Sequence, residues 1–308
     1  MKVLLAGATG AIGRPLTRAL IASGHQVLAL SRSEESASAV RGLGAEPVRA
    51  DALDRDELLR AVAGLRADAV IHQLTSLRRP RRTLDARDPS NLLRTRGTTH
   101  LLEAAEAIGA RRFLTQSMVL GHGYADHGSR TFTEDDDFGV KHGNVADFII
   151  DGLRSTEGQV LGAGHLDGIA LRYGVFHGPG TWFDPTPGSR STPVPRNGGG
   201  SVPWIHVADA AAATVAALER GRGGQAYTVA EDRSASWGEV AAATAAARGG
   251  RALRLPSWLL RRMVPYLGVL MADTTLRASH AKAVRELGWE PVRRATEHEV
   301  PSVKHRAS

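Results

Sequence analysis

An α/β fold built on a doubly wound parallel sheet, with a smaller C-terminal substrate lobe, is the architecture this 308-residue sequence predicts. Three observations carry that expectation. Short β-branched and leucine-rich runs alternate with helical patterns from the first residue, the signature of βαβ units and a parallel sheet. A glycine-rich turn follows the first run directly. After Gly174 the alternation stops, and a long Pro- and Gly-rich stretch intervenes before helical patterns resume.

The elements read in order as follows. The strand KVLLAG leads into the helix RPLTRALIAS, QVLALS into EESASAVRGLG, EPVRA into RDELLRAVAGL, and DAVIHQL into a long helix over 91–107. The strand RRFLTQS precedes a helix over 145–161, and GIALRYG is the sixth strand, closing a core over residues 1–174. GVFHGPGTWFDPTPGSRSTPVPRNGGG, 27 residues without periodicity, has the length of a functional lid or a disordered segment. WIHVADAAAATVAALERG reads as a helix opened by Asp209, whose carboxylate suits a first turn. A strand QAYTVA, a helix over Trp237–Ala247 and two further helical segments reach Leu287. Residues 175–308 are therefore lid and smaller lobe, with 205–230 returning to the core.

Composition excludes several classes. With 42% hydrophobic and 23% charged residues the chain reads as an ordinary soluble globular protein. Having no cysteine, it can form neither a disulfide framework nor a thiolate metal site, and its twelve histidines show no metal-binding spacing, so no metal is expected. The start MKVLLAGATG lacks the features of a signal peptide, which makes the cytoplasm the default location. WLLRRMVPYLGVLM is too short to span a bilayer and is broken by Arg261, Arg262 and Pro265; a buried or pocket-covering helix is expected, and no membrane contact. The formal charge of +7 rests on arginine, since only Lys2, Lys141, Lys282 and Lys304 are lysines, and reads as codon bias. Basic residues are scattered and not interleaved with aromatics, so nucleic acid is not an expected partner. The one dense cluster, RRPRR over 78–82, reads as a solvated loop or, less simply, an anion-attracting rim. A small-molecule substrate is the expected partner, and a homodimer stays open.

GATGAIG places Gly7, Gly10 and Gly13 between a strand and a helix, with Thr9, Ala11 and Ile12 among them. Glycine there allows a tight turn, approach of backbone N–H groups to a pyrophosphate, and close helix–strand packing. The context is that of a Rossmann-type dinucleotide site. At the end of the second strand, where a carboxylate would grip an unmodified ribose, ALSRS offers Ser31 and Arg32. A hydroxyl and a guanidinium suit a 2′-phosphate, so NADP is the expected cofactor.

GATGAIG, RADALD, VIHQLT, RTRGTTHLLEAA, RRFLTQS, LRYGVFHGPG, WIHVADAA and SHAKAVRELGWEP together resemble the atypical or extended short-chain dehydrogenase/reductases, the epimerase/dehydratase-like branch. The resemblance spans nearly the whole chain. It implies that Asp51 and Ala52 border the adenine and that Gln73, Leu74 and Thr75 line the cofactor. It also implies that Ser117 lies beside the cofactor and that Tyr173 and Val175 flank the nicotinamide.

Members that move hydride usually carry a Ser or Thr after the fifth strand and a Tyr-x-x-x-Lys on the next helix, whose tyrosine handles the substrate proton. Here Met118 falls at the hydroxyl position, Ser117 one residue early, and Gly139 and Gly143 where Tyr and Lys belong. None of Tyr124, Tyr173, Tyr227 or Tyr266 has a lysine four residues on. Replacement candidates are Tyr124, Ser117 and His142, with His122 and Lys141 nearby in the sequence and His177 on the loop after the sixth strand. The expected activity is NADP-dependent reduction of a carbonyl or enone on a small apolar metabolite. Its rivals are a redox-neutral isomerase, epimerase or cyclase on the same scaffold, and a non-enzymatic NADP sensor similar to nitrogen-metabolite regulators.

Overall fold

Runs too apolar to face water on either side must be covered on both, and that requirement selects a parallel sheet sandwiched by helices. The computed structural model describes residues 1–76, 85 and 87–297, so the arginine cluster over 78–82 lies outside the described residues. Seven strands build the sheet: β1 Lys2–Ala6, β2 Gln26–Ser31, β3 Glu46–Arg49, β4 Ala69–His72, β5 Arg112–Met118, β6 Asp167–Tyr173 and β7 Gln225–Val229. Their spatial order is β7-β6-β5-β4-β1-β2-β3, all parallel. β1 pairs on one side with β2 and on the other with β4, so the chain reverses its direction of winding between β1 and β4. Open sheets of this kind bind ligands at that switch point, beyond the carboxyl ends of the strands.

Helices α1 Gly13–Ala22, α2 Glu34–Arg41 and α3 Arg55–Val62 connect the first four strands. The next crossover begins as α4 Pro89–Leu92, passes through a π-helical turn Leu93–Gly97 and continues as α5 Thr98–Ala107. α6 Asp147–Leu161 and α7 Val207–Arg220 flank the later strands. One face of the sheet is covered by Leu16 and Leu20 of α1 with Ala213 and Leu218 of α7; the other by Leu58 of α3 with Leu101 and Ala105 of α5. A third cluster forms the smaller lobe. Phe183, Trp204 and Trp237 meet edge-on at its centre, and Tyr124, Tyr266 and Leu270 belong to it.

Four features differ from the sequence reading, each for a local reason. QAYTVA, within the 205–230 stretch expected to return to the core, does so as β7, which extends the main sheet beside β6 and makes a seventh strand where six were read. The helix over 91–107 is interrupted by the π turn. Asp209 lies in the first turn of α7 but spends its carboxylate on the C-terminal segment, accepting from the backbone N–H groups of Val292 and Arg293 and from the Arg293 guanidinium. His206 caps the helix instead, its Nδ1 accepting from Ala208 N–H at 3.1 Å. The apolar stretch from Trp258 to Met271 breaks at Pro265 into α8-following pieces, with α8 at Trp237–Ala247, α9 at Ser257–Met263, α10 at Pro265–Gly268 and a π turn at Val269–Asp273. Trp258 and Met263 are exposed while Tyr266 and Leu270 are buried. Among the described residues no helix is long and apolar enough to cross a membrane.

Two buried histidines make the fold sensitive to acid. His72, at the end of β4, is fully buried, and His122 is 1% exposed and stacked on Phe132. Desolvation pushes both down to about 4 from an ordinary 6.5. The unfolded chain therefore binds more protons than the folded one between those values, and stability present above pH 6.5 is lost as pH falls toward 4. The two together should withdraw on the order of a few kcal/mol over that window. Calorimetry should show a melting temperature that falls steadily from pH 6.5 to 4; a constant value would remove these histidines from the account.

Candidate active site

The site begins where β1 ends. Gly7 has φ of +101°, and a Cβ there would lie 2.8 Å from the Gln73 carbonyl oxygen, so the turn lies directly against the chain leaving β4. Gly10 N–H donates to the Gly7 carbonyl at 3.0 Å. Gly13 opens α1, and a Cβ on it would stand 2.0 Å from that same carbonyl. No side chain caps the N-terminus of α1; Arg14 N–H donates to the Gly10 carbonyl at 3.2 Å and Pro15 has no N–H, so what this end offers an anionic ligand is the positive end of the helix dipole and the N–H groups of the turn before it.

From this turn a continuous cleft of about 660 Å³ runs along the carboxyl edge of the sheet. Gly7, Thr9, Gly10, Ala11 and Ile12 form its floor. At one end stand Ser31, Arg32, Ser33 and Ser36, with Asp51 and Ala52 opposite. Gln73, Leu74 and Thr75 run along the middle, and Ser117, Tyr173 and Val175 follow. The far end is apolar, walled by Met118, Leu120, Trp182, Phe183, Tyr266 and Leu270. Trp182 and Phe183 come from the Pro- and Gly-rich stretch, which is therefore one wall of the cleft.

The middle of the cleft is held by two fixed contacts. His72 accepts from Leu74 N–H at Nδ1 and contacts the Leu93 carbonyl at Nε2, each at 3.2 Å, a pairing that requires the neutral ring protonated on Nε2. It ties the Gln73–Thr75 strip to the π turn. Gln73 Nε2 donates to the Tyr173 hydroxyl at 2.9 Å, and that hydroxyl meets Thr214 Oγ1 at 2.7 Å. Burial pushes the Tyr173 phenol far up, and its hydrogen-bonding is spent on structure.

The cofactor-binding residues expected from the sequence all border this cleft except Gly13, whose place is in the close contact beneath it. The three catalytic candidates separate. Ser117 is in the wall, fully buried, with its Oγ lacking a partner. Tyr124 is 2% exposed and stands behind the wall, its ring edge-on to Tyr266 at 6.0 Å. His142 is on the surface, packed against His127, and does not border the cleft. His122 gives its Nδ1 contact to the Asp137 carbonyl, His177 meets Glu231 at 2.8 Å, and Lys141 pairs with Asp151. Gly139 and Gly143 have φ of +80° and +74° in the loop before α6. Three residues escaped the sequence reading. Arg94 looked like one more surface arginine, Tyr266 lay in a stretch read only for hydrophobicity, and His72 was one histidine among twelve.

Residues 7–218 match the model of a family described as NAD(P)H-binding. The chain belongs to that family. Over 300 residues it is 35% identical to the 3-diazoavenalumate denitrifying reductase of a Streptomyces species, covering 94% of this chain and 96% of that protein. A shorter match, 44% identical over 72 residues, is to the 2-alkyl-3-oxoalkanoate reductase of Stenotrophomonas maltophilia, covering 23% of this chain and 21% of that one. The fold matches the UDP-glucose 4-epimerase of Bifidobacterium longum in complex with NAD+ and UDP, at a TM-score of 0.76 and 18% identity over 96% of this chain and 95% of that one. It also matches the dTDP-glucose 4,6-dehydratase of Bacillus anthracis, at 0.73 and 16% over 96% and 93%. The architecture is thus that of the epimerase/dehydratase-like proteins, and the full-length relative supports an NAD(P)-dependent reductase.

Because the Gly13 Cβ has no room, Gly13→Ala must push α1 away from the Gly7 turn. It should weaken cofactor binding by roughly 100-fold or more, equivalent to about 2.7 kcal/mol. Titration followed by tryptophan fluorescence measures this, and unchanged affinity would contradict the assignment of the cradle.

Proposed function

We propose that this protein is an NADPH-dependent reductase that delivers hydride to a carbonyl or conjugated enone of a small, largely apolar molecule. The observation that carries the reading is the continuity of one cleft from an uncapped helix N-terminus to an apolar end of aromatic and aliphatic side chains. Such a cleft suits a dinucleotide at one end and an apolar acceptor at the other. When bound, the cofactor supplies hydride from nicotinamide C4. The chain's own work is to bind, orient and exclude water: Gly7 to Gly13 hold the pyrophosphate, Gln73 to Thr75 the linking ribose, and Tyr173, Val175 and Ser117 flank the nicotinamide.

NADP over NAD is supported by the end of β2. Arg32 is exposed at the cleft with no carboxylate partner among the described residues. The nearest acid in sequence, Glu34, is drawn away by Arg41 at 2.8 Å and Arg49 at 3.3 Å, which hold its carboxyl below the ordinary range. Ser31, Ser33 and Ser36 add hydroxyls around the same point.

A second reading is favoured by the relative over 300 residues, whose name describes denitrifying reduction of a diazo compound. Hydride that bonds to a carbon losing N₂ leaves no oxyanion to protonate, so a chain without Tyr-x-x-x-Lys loses nothing. The redox-neutral reading is less well supported, because the far end of the cleft is apolar where a nucleotide sugar would need polar partners.

NADPH deuterated at C4, in each of its two stereospecific forms, separates these readings on a panel of apolar ketones, enones and aryl diazo compounds. The proposal expects deuterium in the product from one form only, one NADPH consumed per product, and no N₂. Labelled product with one N₂ released would favour the diazo reading. Product without label or NADPH loss would contradict reduction altogether.

A further inference from the structure

Arg94 is fully buried, yet its guanidinium is almost unanswered. Its Nη2 touches Met118 Sδ at 3.5 Å, while Nε and Nη1 have no hydrogen-bond partner among the described residues. Removing an arginine charge from water costs several kcal/mol unless it is paired, and a buried donor left open is a mark of function as often as of structure. The carboxylate whose field reaches it, Asp88, spends Oδ1 on the N–H groups of Ser90 and Asn91 at the start of α4. The other groups whose charge reaches Arg94 are two phenols, Tyr124 and Tyr266, whose rings pack edge-on at 6.0 Å.

The position is built, not incidental. The π turn Leu93–Gly97 carries Arg94 inward while Leu93 borders the cleft. On α6, a Cβ at Gly152 would come within 3.2 Å of Arg94 Cδ and 2.5 Å of Asn91 Oδ1, so a glycine makes the room the arginine occupies. Tyr124, from the loop after β5, and Tyr266, from α10, belong with Met118, which Arg94 touches, to one hydrophobic cluster. The Tyr124 hydroxyl has no partner in good hydrogen-bonding geometry, although Tyr266 is beside it. Of the three, only Tyr266 borders the cleft, whose lining also includes Ser117 and Val175.

We propose that Tyr266 is a catalytic residue that donates its hydroxyl to the acceptor oxygen on which negative charge gathers as hydride arrives, with Tyr124 and Arg94 as positioning residues behind it. The acceptor class follows: a compound whose oxygen is doubly bonded or conjugated to the carbon that takes hydride. In a carbonyl, hydride bonds to the carbonyl carbon and the C=O π pair moves to oxygen; in an enone, hydride bonds to the β carbon, the C=C π pair shifts to form the enolate C=C bond and the C=O π pair moves to oxygen. In either case oxygen takes the Tyr266 proton, and the phenolate left behind is stabilised by Arg94 and regains its proton from water. The acceptor is reduced and the nicotinamide oxidised. Burial pushes the Tyr266 phenol up, and the neighbouring Tyr124 hydroxyl and the Arg94 charge pull it back, with Asp88 opposing them. This three-residue set, drawn from α10, the loop after β5 and the π turn, takes the place of a tyrosine and lysine on one helix.

The proposal rests on the reductase reading for its source of hydride, and its test does not need the substrate. 4-Nitrophenol reports its own ionisation by colour and mimics a charge-bearing acceptor oxygen. Added to the NADP+ complex, it should titrate at least about one pH unit lower than when free, a tenfold stabilisation of the anion. Tyr266→Phe should erase that shift, Arg94→Met most of it, and Tyr124→Phe part of it, while NADP+ affinity, followed separately by tryptophan fluorescence, stays unchanged. With a ketone or enone turned over by the wild type, Tyr266→Phe should lower kcat roughly 10²-fold with little change in KM. Failure of 4-nitrophenol to bind, or a shift that survives Tyr266→Phe, overturns the proposal. Failure of the wild type to bind NADP+ would instead overturn the reductase reading, and the shift measured without cofactor still tests the cluster.

Discussion

The contact on which the rest depends is the stacking of three backbones at the end of β1: the Gly7 turn against the Gln73 carbonyl, and α1 against the Gly7 carbonyl. Neither leaves space for a Cβ. That closeness brings the uncapped start of α1 to the switch point of the sheet, and it sets Gln73 to Thr75 at the height where a cofactor bound on the turn must pass. His72 carries the constraint further, because the ring that accepts from Leu74 also holds the carbonyl of Leu93. The glycine turn, the middle of the cleft and the π turn bearing Arg94 are therefore one connected piece of structure.

The two ends of the cleft are made by different physics. Phosphate recognition uses backbone N–H groups and a helix dipole, which need glycines and little else. The apolar end of the cleft is part of a hydrophobic cluster, where Phe183, Trp204 and Trp237 pack together and Tyr266 and Leu270 border the cleft. Polar function in such a place is costly, so it is concentrated in few groups. A buried guanidinium with two open nitrogens and two phenols without carboxylate partners is an arrangement that stabilises developing negative charge more strongly than it could in water.

Much of this was legible in the sequence, and the parts that were not share a cause. Periodicity gave the alternating elements of the core, because each strand and helix is decided by its own neighbours in the chain. GATGAIG and SRS were legible for the same reason: each is a consecutive stretch, and both border one cleft. The apolar end of that cleft and the cluster behind it draw on residues 94, 118, 124, 182 and 266, and no local pattern links them. Tyr124 was singled out by its position after the fifth strand, while Tyr266, which packs against it, sits 142 residues later in a stretch read only as a buried or pocket-covering helix. Asp209 misled in the opposite direction, since a carboxylate in a first turn reads as a helix signal whether or not a distant backbone claims it.

The central claim is that the glycine turn and the end of β2 together hold NADPH. Calorimetric titration of the wild type and of Arg32→Ala with NADPH and with NADH tests it most directly. One charge-assisted contact, worth roughly 1.5–3 kcal/mol, implies that the wild type binds NADPH about 10- to 100-fold more tightly than NADH. Arg32→Ala should bring the two affinities together by weakening NADPH alone. Equal affinities in the wild type, or a preference for NADH, would contradict the account.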